Sequence, residues 1–401
     1  PKLAGRPVSH IMWADDLLLM STNILGLQRM LNCLSVTCNH WGIEVNPAKT
    51  KIVCFKPQGR ASSDEKWFLN GEKLTVKANA VYLGISFSSN CHWVSHRKLA
   101  VDKAMRATIH LLSFVLRNKK LSAVFLKQLY LTLVDPIITY GAEVWGVFPR
   151  THANSAFVDP IQDLDKPLLR FCRAALGIPR SSTSSGTILE MAMTGCGSRI
   201  ASRAVKYWLT LLQYPPGHIM HNCLLEQQAL LEQGRRTWLF FIRQLLQSFG
   251  YGDAWTTPYA VEPRRFLAAF KTRAADIQGS QLLDCTNDMR SLQHYNGLRL
   301  GEGLHSPPPY LQCEHYLRRA VAIVRLNLKH SLPIEFSVGL CKLCGKLLDD
   351  GAHWHHILYA CPALPSLPPE TAHVPYPHCI RRIVGKLDNA ALQRVVFATR
   401  K

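Results

Sequence analysis

Asp15 and Asp16 are the first residues of the chain whose types and spacing could carry chemistry. They lie between two short apolar runs, residues 9–12 and 17–21, and such runs on either side of a break predict a β-hairpin with the carboxylates at its turn. Mg²⁺ prefers carboxylate oxygens, and phosphoryl transfer by a two-metal mechanism uses such ions against nucleotide phosphates. Because alternate strand residues face opposite ways, Asp15 is the stronger ligand candidate and Asp16 the weaker one. The alternative is a solvated turn, since Asp is common in turns.

A second set of reactive side chains lies within 21 residues near the end of the chain. It comprises Cys341, Cys344, His356 and Cys361. A Cys-x2-Cys pair supplies two thiolates from one tight turn, and a His and a Cys downstream complete a tetrahedral zinc site. Eleven residues separate Cys344 from His356, and His353 would shorten this gap but lengthen the spacing to Cys361, so both histidines stay candidates. The alternative is that these thiols are reduced and bind no metal. A complete Cys-x2-Cys, His and Cys set within so few residues disfavours this alternative.

A helix and a strand follow the carboxylate pair and must help to position it. Residues 23–41 have the apolar spacing of an amphipathic helix, with Ser21 or Thr22 as the N-cap. The predicted buried face consists of Leu27, Leu31, Leu34, Cys38 and Trp41. Residues 52–55 predict the next strand.

Three stretches in order along the chain resemble one family. Trp13-Ala14-Asp15-Asp16 between apolar strands resembles the catalytic hairpin of reverse transcriptases. Residues 42–51, with a Gly-containing turn, an Asn and a Lys-Thr pair, resemble the palm segment that follows this hairpin in non-LTR (LINE-type) retrotransposon polymerases, and residues 81–85 resemble their primer-grip hairpin. Together the stretches cover roughly residues 9 to 90, which is more specific than any single motif.

The resemblance implies RNA-templated DNA synthesis with an RNA template and a DNA primer or target as partners. It implies that Asp15 and Asp16 hold Mg²⁺ and that Lys49 contacts the nucleotide triphosphate, with a solvated turn lysine as the alternative. It also implies that a primer-grip group positions the primer end. This group comprises Tyr82, Leu83 and Gly84.

Residues 92–117 and 121–145 both have helical spacing of apolar residues. Residues 129–146, with their Tyr-Gly-x-Glu-x-Trp run, are similar to the helical thumb of LINE-type polymerases. Residues 160–330 consist of helix-like segments separated by Pro, Gly and Ser clusters, and they are similar to the linker of the same proteins.

The net charge of +20, from 47 Lys and Arg against 27 Asp and Glu, favours nucleic acid or another polyanion as a partner. Between residues 97 and 127 there are eight basic residues against one acid, Asp102. The basic residues are Arg97, Lys98, Lys103, Arg106, Arg117, Lys119, Lys120 and Lys127. A solvated helix face is the alternative, but the position directly after a palm-like segment favours contact with nucleic acid.

We therefore expect an α+β protein with four regions. These are a partial polymerase palm, an antiparallel sheet with a helix, at residues 1–90; a mainly α-helical thumb at 91–150; a helical linker at 151–330; and a small zinc-knuckle tail at 331–401.

Neither a run of eighteen apolar residues nor a signal-peptide pattern is present in the sequence. Most of the 13 cysteines are single and in apolar contexts, which is typical of reduced, buried thiols. We expect an intracellular protein that is neither secreted nor bound to membrane, with nucleus and cytoplasm both open.

The chain starts at Pro1 and reaches the acidic pair fifteen residues in, which predicts the C-terminal part of a larger protein. The palm strand with a further metal-binding Asp and the fingers have no counterpart here, and Trp13 stands where the family usually has Tyr or Phe. We therefore expect no polymerisation by the isolated chain.

One alternative is a non-catalytic RNA- or DNA-binding retrotransposon remnant that uses the basic thumb and the zinc knuckle, with Trp354 stacking on an unpaired base. Another is a pseudogene translation that folds poorly.

Overall fold

The computed structural model describes residues 1–3, 5–56, 66–148, 163–289, 292–331, 334–335, 339–349, 353–364 and 394. The chain forms two compact units that alternate along the sequence. The first unit comprises Pro1–Leu99, Gly141–Ala156 and Ile200–Leu267. The second unit comprises Ala100–Tyr140, Phe157–Arg199 and Ala268–Lys401. The predicted palm region lies in the first unit and the predicted tail in the second, while residues 91–150 and 151–330 contribute to both.

The strands are short. They are Lys2–Leu3 (β1), Arg6–Pro7 (β2), His10–Trp13 (β3), Asp16–Leu19 (β4), Lys51–Ile52 (β5), Phe68–Leu69 (β6), Glu72–Lys73 (β7), Thr75–Val76 (β8), Asn79–Tyr82 (β9), Ile85–Ser88 (β10), Ile334–Glu335 (β11) and Leu340–Cys341 (β12). Among the described residues they form six separate pairs, of which only β5 with β8 is parallel. The described strands therefore do not join into the single antiparallel sheet that we expected for a palm.

Helices make up most of the remaining elements. They are Ile24–His40 (α1), Val94–Arg117 (α2), Ala123–Leu133 (α3), Asp135–Ile138 (α4), Ala142–Trp145 (α5), Lys166–Leu176 (α6), Ser184–Glu190 (α7), Cys196–Leu212 (α8), Ile219–Glu232 (α9), Trp238–Ser248 (α10), Gly252–Thr256 (α11), Pro263–Asn287 (α12), Gln293–Glu302 (α13), His315–Arg325 (α14) and His353–His355 (α15). The mixture of helices with small sheets agrees with the expected α+β class.

Helix α1 packs on the small core of the first unit. This core consists of Leu31, Ile52, Trp67, Leu69 and Leu74. The side-chain amide of Gln28 donates to the Phe68 carbonyl and accepts from the Phe68 backbone N–H, both at 2.9 Å. These two hydrogen bonds attach α1 to the backbone of β6. The N-cap is Asn23 and not Ser21 or Thr22, because the Asn23 side chain accepts from the Gly26 N–H at 2.6 Å.

Three expectations about local structure were wrong. Residues 121–145 are three helices, α3, α4 and α5, because Pro136 lacks an N–H and Gly141 takes a left-handed conformation with φ +63°. The strand predicted at residues 52–55 is limited to β5. Trp41, the C-cap residue of α1, is not buried but 71% exposed.

Candidate metal and nucleic-acid sites

The acidic pair lies at the tip of the β3–β4 hairpin, as predicted. Trp13 and Asp16 are opposite each other in the antiparallel register, which leaves Ala14 and Asp15 as a two-residue turn. Ala14 has φ +52°, a left-handed conformation that non-glycine residues adopt at a cost. Both carboxylates are exposed. The hairpin therefore presents two acidic side chains to solvent beside an exposed Trp13 ring.

This pair has no third ligand nearby in the described part of the chain. There, the one group of three or more His, Cys, Asp or Glu side chains close enough to share a metal ion lies elsewhere, at Cys341. Asp15 and Asp16 could supply two of the oxygen ligands that an Mg²⁺ site needs, and the described residues do not complete such a site.

Strands β9 and β10 form a second hairpin, at the predicted primer-grip position. Its turn residues Leu83 and Gly84 have φ +46° and +79°, which corresponds to the type I′ turn favoured in two-residue hairpins. The Tyr82 hydroxyl is buried and has no hydrogen-bond partner among the described residues. The predicted primer-grip residues thus share one tight turn.

Lys49 lies in the turn that joins α1 to β5. Its backbone N–H donates to the Asn46 carbonyl at 3.2 Å and the Thr50 hydroxyl donates to the same carbonyl at 2.9 Å, so Asn46 organises the turn. The Lys49 side chain is exposed. In the described residues no hydrogen bond or ion pair joins it to either carboxylate of the β3–β4 hairpin.

Six of the eight predicted nucleic-acid-binding residues are exposed. They are Lys98, Lys103, Arg106, Arg117, Lys119 and Lys120. The other two turn toward the protein: Arg97 donates to the Phe148 carbonyl at 2.5 Å, and Lys127 donates to the Ala192 carbonyl. Burial lowers the pKa of Lys127. Their positions suit packing better than contact with a ligand.

The predicted zinc ligands meet in the second unit. The ligand atoms of Cys341, Cys344, His356 and Cys361 all lie within 4.8 Å of one another. The Cys341 and Cys361 sulfurs are 4.0 Å apart, and the Cys344 sulfur is 3.3 Å from His356 Nε2. A tetrahedral zinc ion, with bonds of about 2.0–2.3 Å, places its ligands about 3.5–3.8 Å apart. The four residues therefore fit zinc, and His356 is the histidine that the fold brings to the cysteines.

Local backbone geometry explains the approach of the two thiolates of the Cys-x2-Cys pair. The Gly345 N–H donates to the Cys341 carbonyl at 2.8 Å, and Gly345 has φ +72°, which glycine adopts readily. Desolvation raises the pKa of Cys344, but hydrogen bonds from the Lys346 backbone and the neighbouring thiols bring it below its ordinary value. Burial raises the pKa of Cys361. Metal binding would therefore release a proton from Cys361.

Two further residues hold the zinc-ligand loop in place. The Trp354 indole N–H donates to the Asn327 side chain at 2.7 Å, just beyond the end of α14. Arg394 donates to the carbonyls of Ile357 and Cys361, the latter at 2.6 Å. The expectation that Trp354 stacks on a base was wrong, because its ring is fully buried. The sequence carried no local signal for Arg394, which lies 33 residues beyond Cys361.

Comparisons with known proteins relate parts of this chain to proteins of transposons. The chain is 28% identical over 148 residues to "Probable RNA-directed DNA polymerase from transposon BS" of Drosophila melanogaster, and the match covers 35% of this chain and 16% of that protein. It is 24% identical over 210 residues to "RNA-directed DNA polymerase from mobile element jockey" of the same organism, covering 51% of this chain and 22% of that protein. The chain is a relative of the RNA-directed DNA polymerases of LINE-type, non-LTR transposons.

The similarity is modest and partial. A transposon-derived protein of Caenorhabditis elegans is 24% identical over 151 residues, covering 36% of this chain and 51% of that protein. The chain thus spans less than a quarter of the length of the two Drosophila polymerases it matches. No family model and no solved structure matches it. None of the described helices combines the length and apolar character needed to cross a membrane.

Proposed function

We propose that this chain is part of an RNA-directed DNA polymerase of a non-LTR retrotransposon, which copies RNA into DNA by two-metal phosphoryl transfer. One observation carries the proposal: the β3–β4 hairpin exposes Asp15 in its turn and Asp16 directly after it in a chain related to polymerases of this class. Carboxylates held on a short hairpin have the rigidity that a metal site for phosphoryl transfer requires.

Each residue has a role in this proposal. Asp15, and secondarily Asp16, would hold Mg²⁺, which when bound neutralises charge that develops as the primer 3′-hydroxyl attacks the nucleotide α-phosphate. Lys49 would contact the triphosphate from its exposed turn. The type I′ turn after Tyr82 would support the primer end, with Leu83 and Gly84 fixed by the hairpin register.

The isolated chain is proposed to lack polymerase activity, because two exposed carboxylates do not complete a two-metal site. The test is an RNA-templated primer-extension assay with Mg²⁺. We expect no extension by the chain alone, and extension by a longer protein that joins this chain to an upstream segment with a further metal-binding Asp.

Substitutions in that longer protein test the role of the hairpin. Asp15→Asn should abolish extension, and Asp16→Asn should reduce it. Glu44→Gln, at an exposed position of the same unit, serves as the matched control. Extension that survives Asp15→Asn at the wild-type rate, or an upstream sequence without an Asp-bearing strand, would contradict the polymerase proposal.

The second candidate function is nucleic-acid binding without catalysis. The exposed cations of α2 and of the loop after it favour this function, together with the Cys3His cluster. Lys and Arg contacts to phosphates release counterions, so affinity should fall steeply with salt. Binding of RNA or DNA by the chain, measured as a function of salt and with or without a zinc chelator, tests it. Salt-insensitive binding would exclude phosphate contacts as its source.

A further inference from the structure

The exposed face of α2 carries a row of cations and one aromatic ring. Residues three or four apart on a helix are neighbours on its surface. Lys103, Arg106, His110, Phe114 and Arg117 have this spacing and are all exposed. The row extends over about 21 Å at 1.5 Å per residue. The second unit therefore presents a narrow positive strip with a ring of 46% exposure, that of Phe114, within it.

The strip leads to a second aromatic ring that the sequence does not place nearby. The Lys119 Nζ donates to the Tyr316 hydroxyl at 2.8 Å across a sequence separation of 197 residues. The same Nζ lies 5.0 Å from the centroid of the Tyr316 ring. The His315 backbone N–H donates to the Lys119 carbonyl at 3.1 Å, which fixes the start of α14 against the loop after α2. Tyr316 as a whole is half-buried.

The surroundings of Tyr316 are electropositive. The pKa of His315 is lowered to about 4, mainly by burial, and the charges of Arg318, Lys119 and Arg319 contribute to this shift. These three cations lie close enough to His315 to affect its protonation, so positive charge is concentrated at the start of α14. Glu314 is the acid at the start of α14 and is exposed.

We propose that the strip on α2 and the Lys119–Tyr316 pair form one binding surface for single-stranded nucleic acid. Lys103, Arg106, Arg117 and Lys119 would contact successive phosphates, while Phe114 and Tyr316 stack on unpaired bases. Cations that follow the backbone, interleaved with aromatic rings, are the recurrent composition of single-strand binding surfaces. A duplex has its bases already stacked and would use the cations alone. The inference rests on the proposed nucleic-acid-binding function and adds its site and its preferred substrate.

The test is fluorescence anisotropy with the full chain and a labelled single-stranded RNA of about twelve nucleotides, within the site sizes of such surfaces. A single-stranded DNA and a duplex RNA of the same sequence provide the comparison. Tyr316→Leu should weaken binding to both single strands about tenfold through lost stacking and leave duplex binding nearly unchanged. Tyr316→Phe, which keeps the ring, should bind like the wild type. Tyr259→Leu is the matched control, because Tyr259 is 71% exposed and lies in the first unit.

A second variant tests the phosphate contact. Lys119→Met should weaken binding to single strands and lower the salt slope by about 0.7, the value for one lost phosphate contact with a single strand. Lys271→Met, at an exposed position of α12, should leave the slope unchanged. Lys119 is exposed, so Lys119→Met should leave the fold intact. This variant therefore tests the proposed surface even if Tyr316→Leu lowers the helical signal in circular dichroism.

The outcomes separate the two proposals. If the wild type binds no nucleic acid, both the binding function and this surface are wrong. If the wild type binds with steep salt dependence but Tyr316→Leu and Lys119→Met bind equally well, the function stands and this surface is wrong. Equal losses for single strands and duplex in Tyr316→Leu would also overturn it, since stacking on unpaired bases would then play no part.

Discussion

Arg325 and Glu190, 135 residues apart in the sequence, form a fully buried ion pair in the second unit. Three more residues join the network. Arg325 also donates to both carboxylate oxygens of Glu302 at 2.8 Å, and Arg299 donates to Glu302 at 2.9 Å. The Tyr310 hydroxyl donates to Glu190. Two guanidinium groups thus meet two carboxylates, and burial of these charges is tolerated because they are paired and hydrogen-bonded.

Arg325→Met should destabilise the protein by about 3–5 kcal/mol, because it leaves Glu190 buried without its cation. Urea unfolding followed by circular dichroism measures this change. The double variant Arg325→Met with Glu190→Met should lose less than the single one, since no uncompensated charge stays behind. Arg273→Met, at an exposed position of α12, is the control. A loss under about 0.5 kcal/mol for Arg325→Met, the usual range of surface substitutions, would show that the pair contributes little.

Gly177→Ala should destabilise the end of α6 and displace His315. Gly177 has φ +73°, which costs a non-glycine residue about 1–2 kcal/mol. A Cβ there would also lie 2.5 Å from His315 Cε1 and 3.1 Å from Arg319 Cβ. Gly217→Ala is the matched control, because Gly217 has φ +87° and nothing within 4 Å of an added Cβ. The midpoint of thermal unfolding should fall further for Gly177→Ala than for Gly217→Ala, and equal shifts would exclude the clash.

Stability should fall as the pH decreases from about 6.5 toward 4. Burial lowers the pKa of His315 from 6.5 to about 4 in the folded protein, so in this window the unfolded chain binds more protons than the folded one. Because His315 is half-exposed, solvent screening reduces the effect to about 1 kcal/mol between pH 7 and pH 5.

The His315 contribution can be isolated by substitution. Urea unfolding at several pH values should give a flatter dependence for His315→Asn than for the wild type. His110→Asn, which removes an exposed imidazole from α2, is the control. An unchanged pH dependence in His315→Asn would mean that other groups carry it.

One zinc ion should bind per chain, and Cys344→Ser should abolish this binding. Metal content after dialysis, measured by elemental analysis, tests the stoichiometry. Cys285→Ser, at a half-buried cysteine outside the cluster, should bind zinc like the wild type.

Chelation of the metal should release the loop around His356 and expose the buried Trp354 ring, which shifts the tryptophan emission to longer wavelength. Trp354→Phe should remove this shift. Because burial raises the pKa of Cys361, zinc affinity should weaken as the pH falls. Zinc binding that persists in Cys344→Ser at wild-type affinity would place the metal elsewhere.

The local elements could be read from the sequence because their signals lie within a few residues. The β3–β4 hairpin, α1 and the Cys-x2-Cys turn each depend on short apolar runs, helical spacing or a turn glycine. The N-cap of α1 was misassigned because Ser21, Thr22 and Asn23 all have suitable side chains, and only the backbone conformation selects Asn23.

The tertiary structure decided which side chains meet. The choice of His356 over His353 depended on how the loop after α14 folds back on Cys341 and Cys344. Burial of Trp354 likewise followed from a hydrogen bond to Asn327. The ligand atoms of a metal site must lie within a few ångströms of one another, and the spacing of residues along the sequence does not fix these distances.

The same limit holds for charge. Composition and sequence position placed basic residues between residues 97 and 127, but only packing separated the exposed Lys119 from the half-buried Lys127. The contact of Lys119 with Tyr316 and the pair of Arg325 with Glu190 join segments more than 100 residues apart. Sequence periodicity encodes which face of an element is apolar, whereas the partner of a polar group is set by which elements the core brings together.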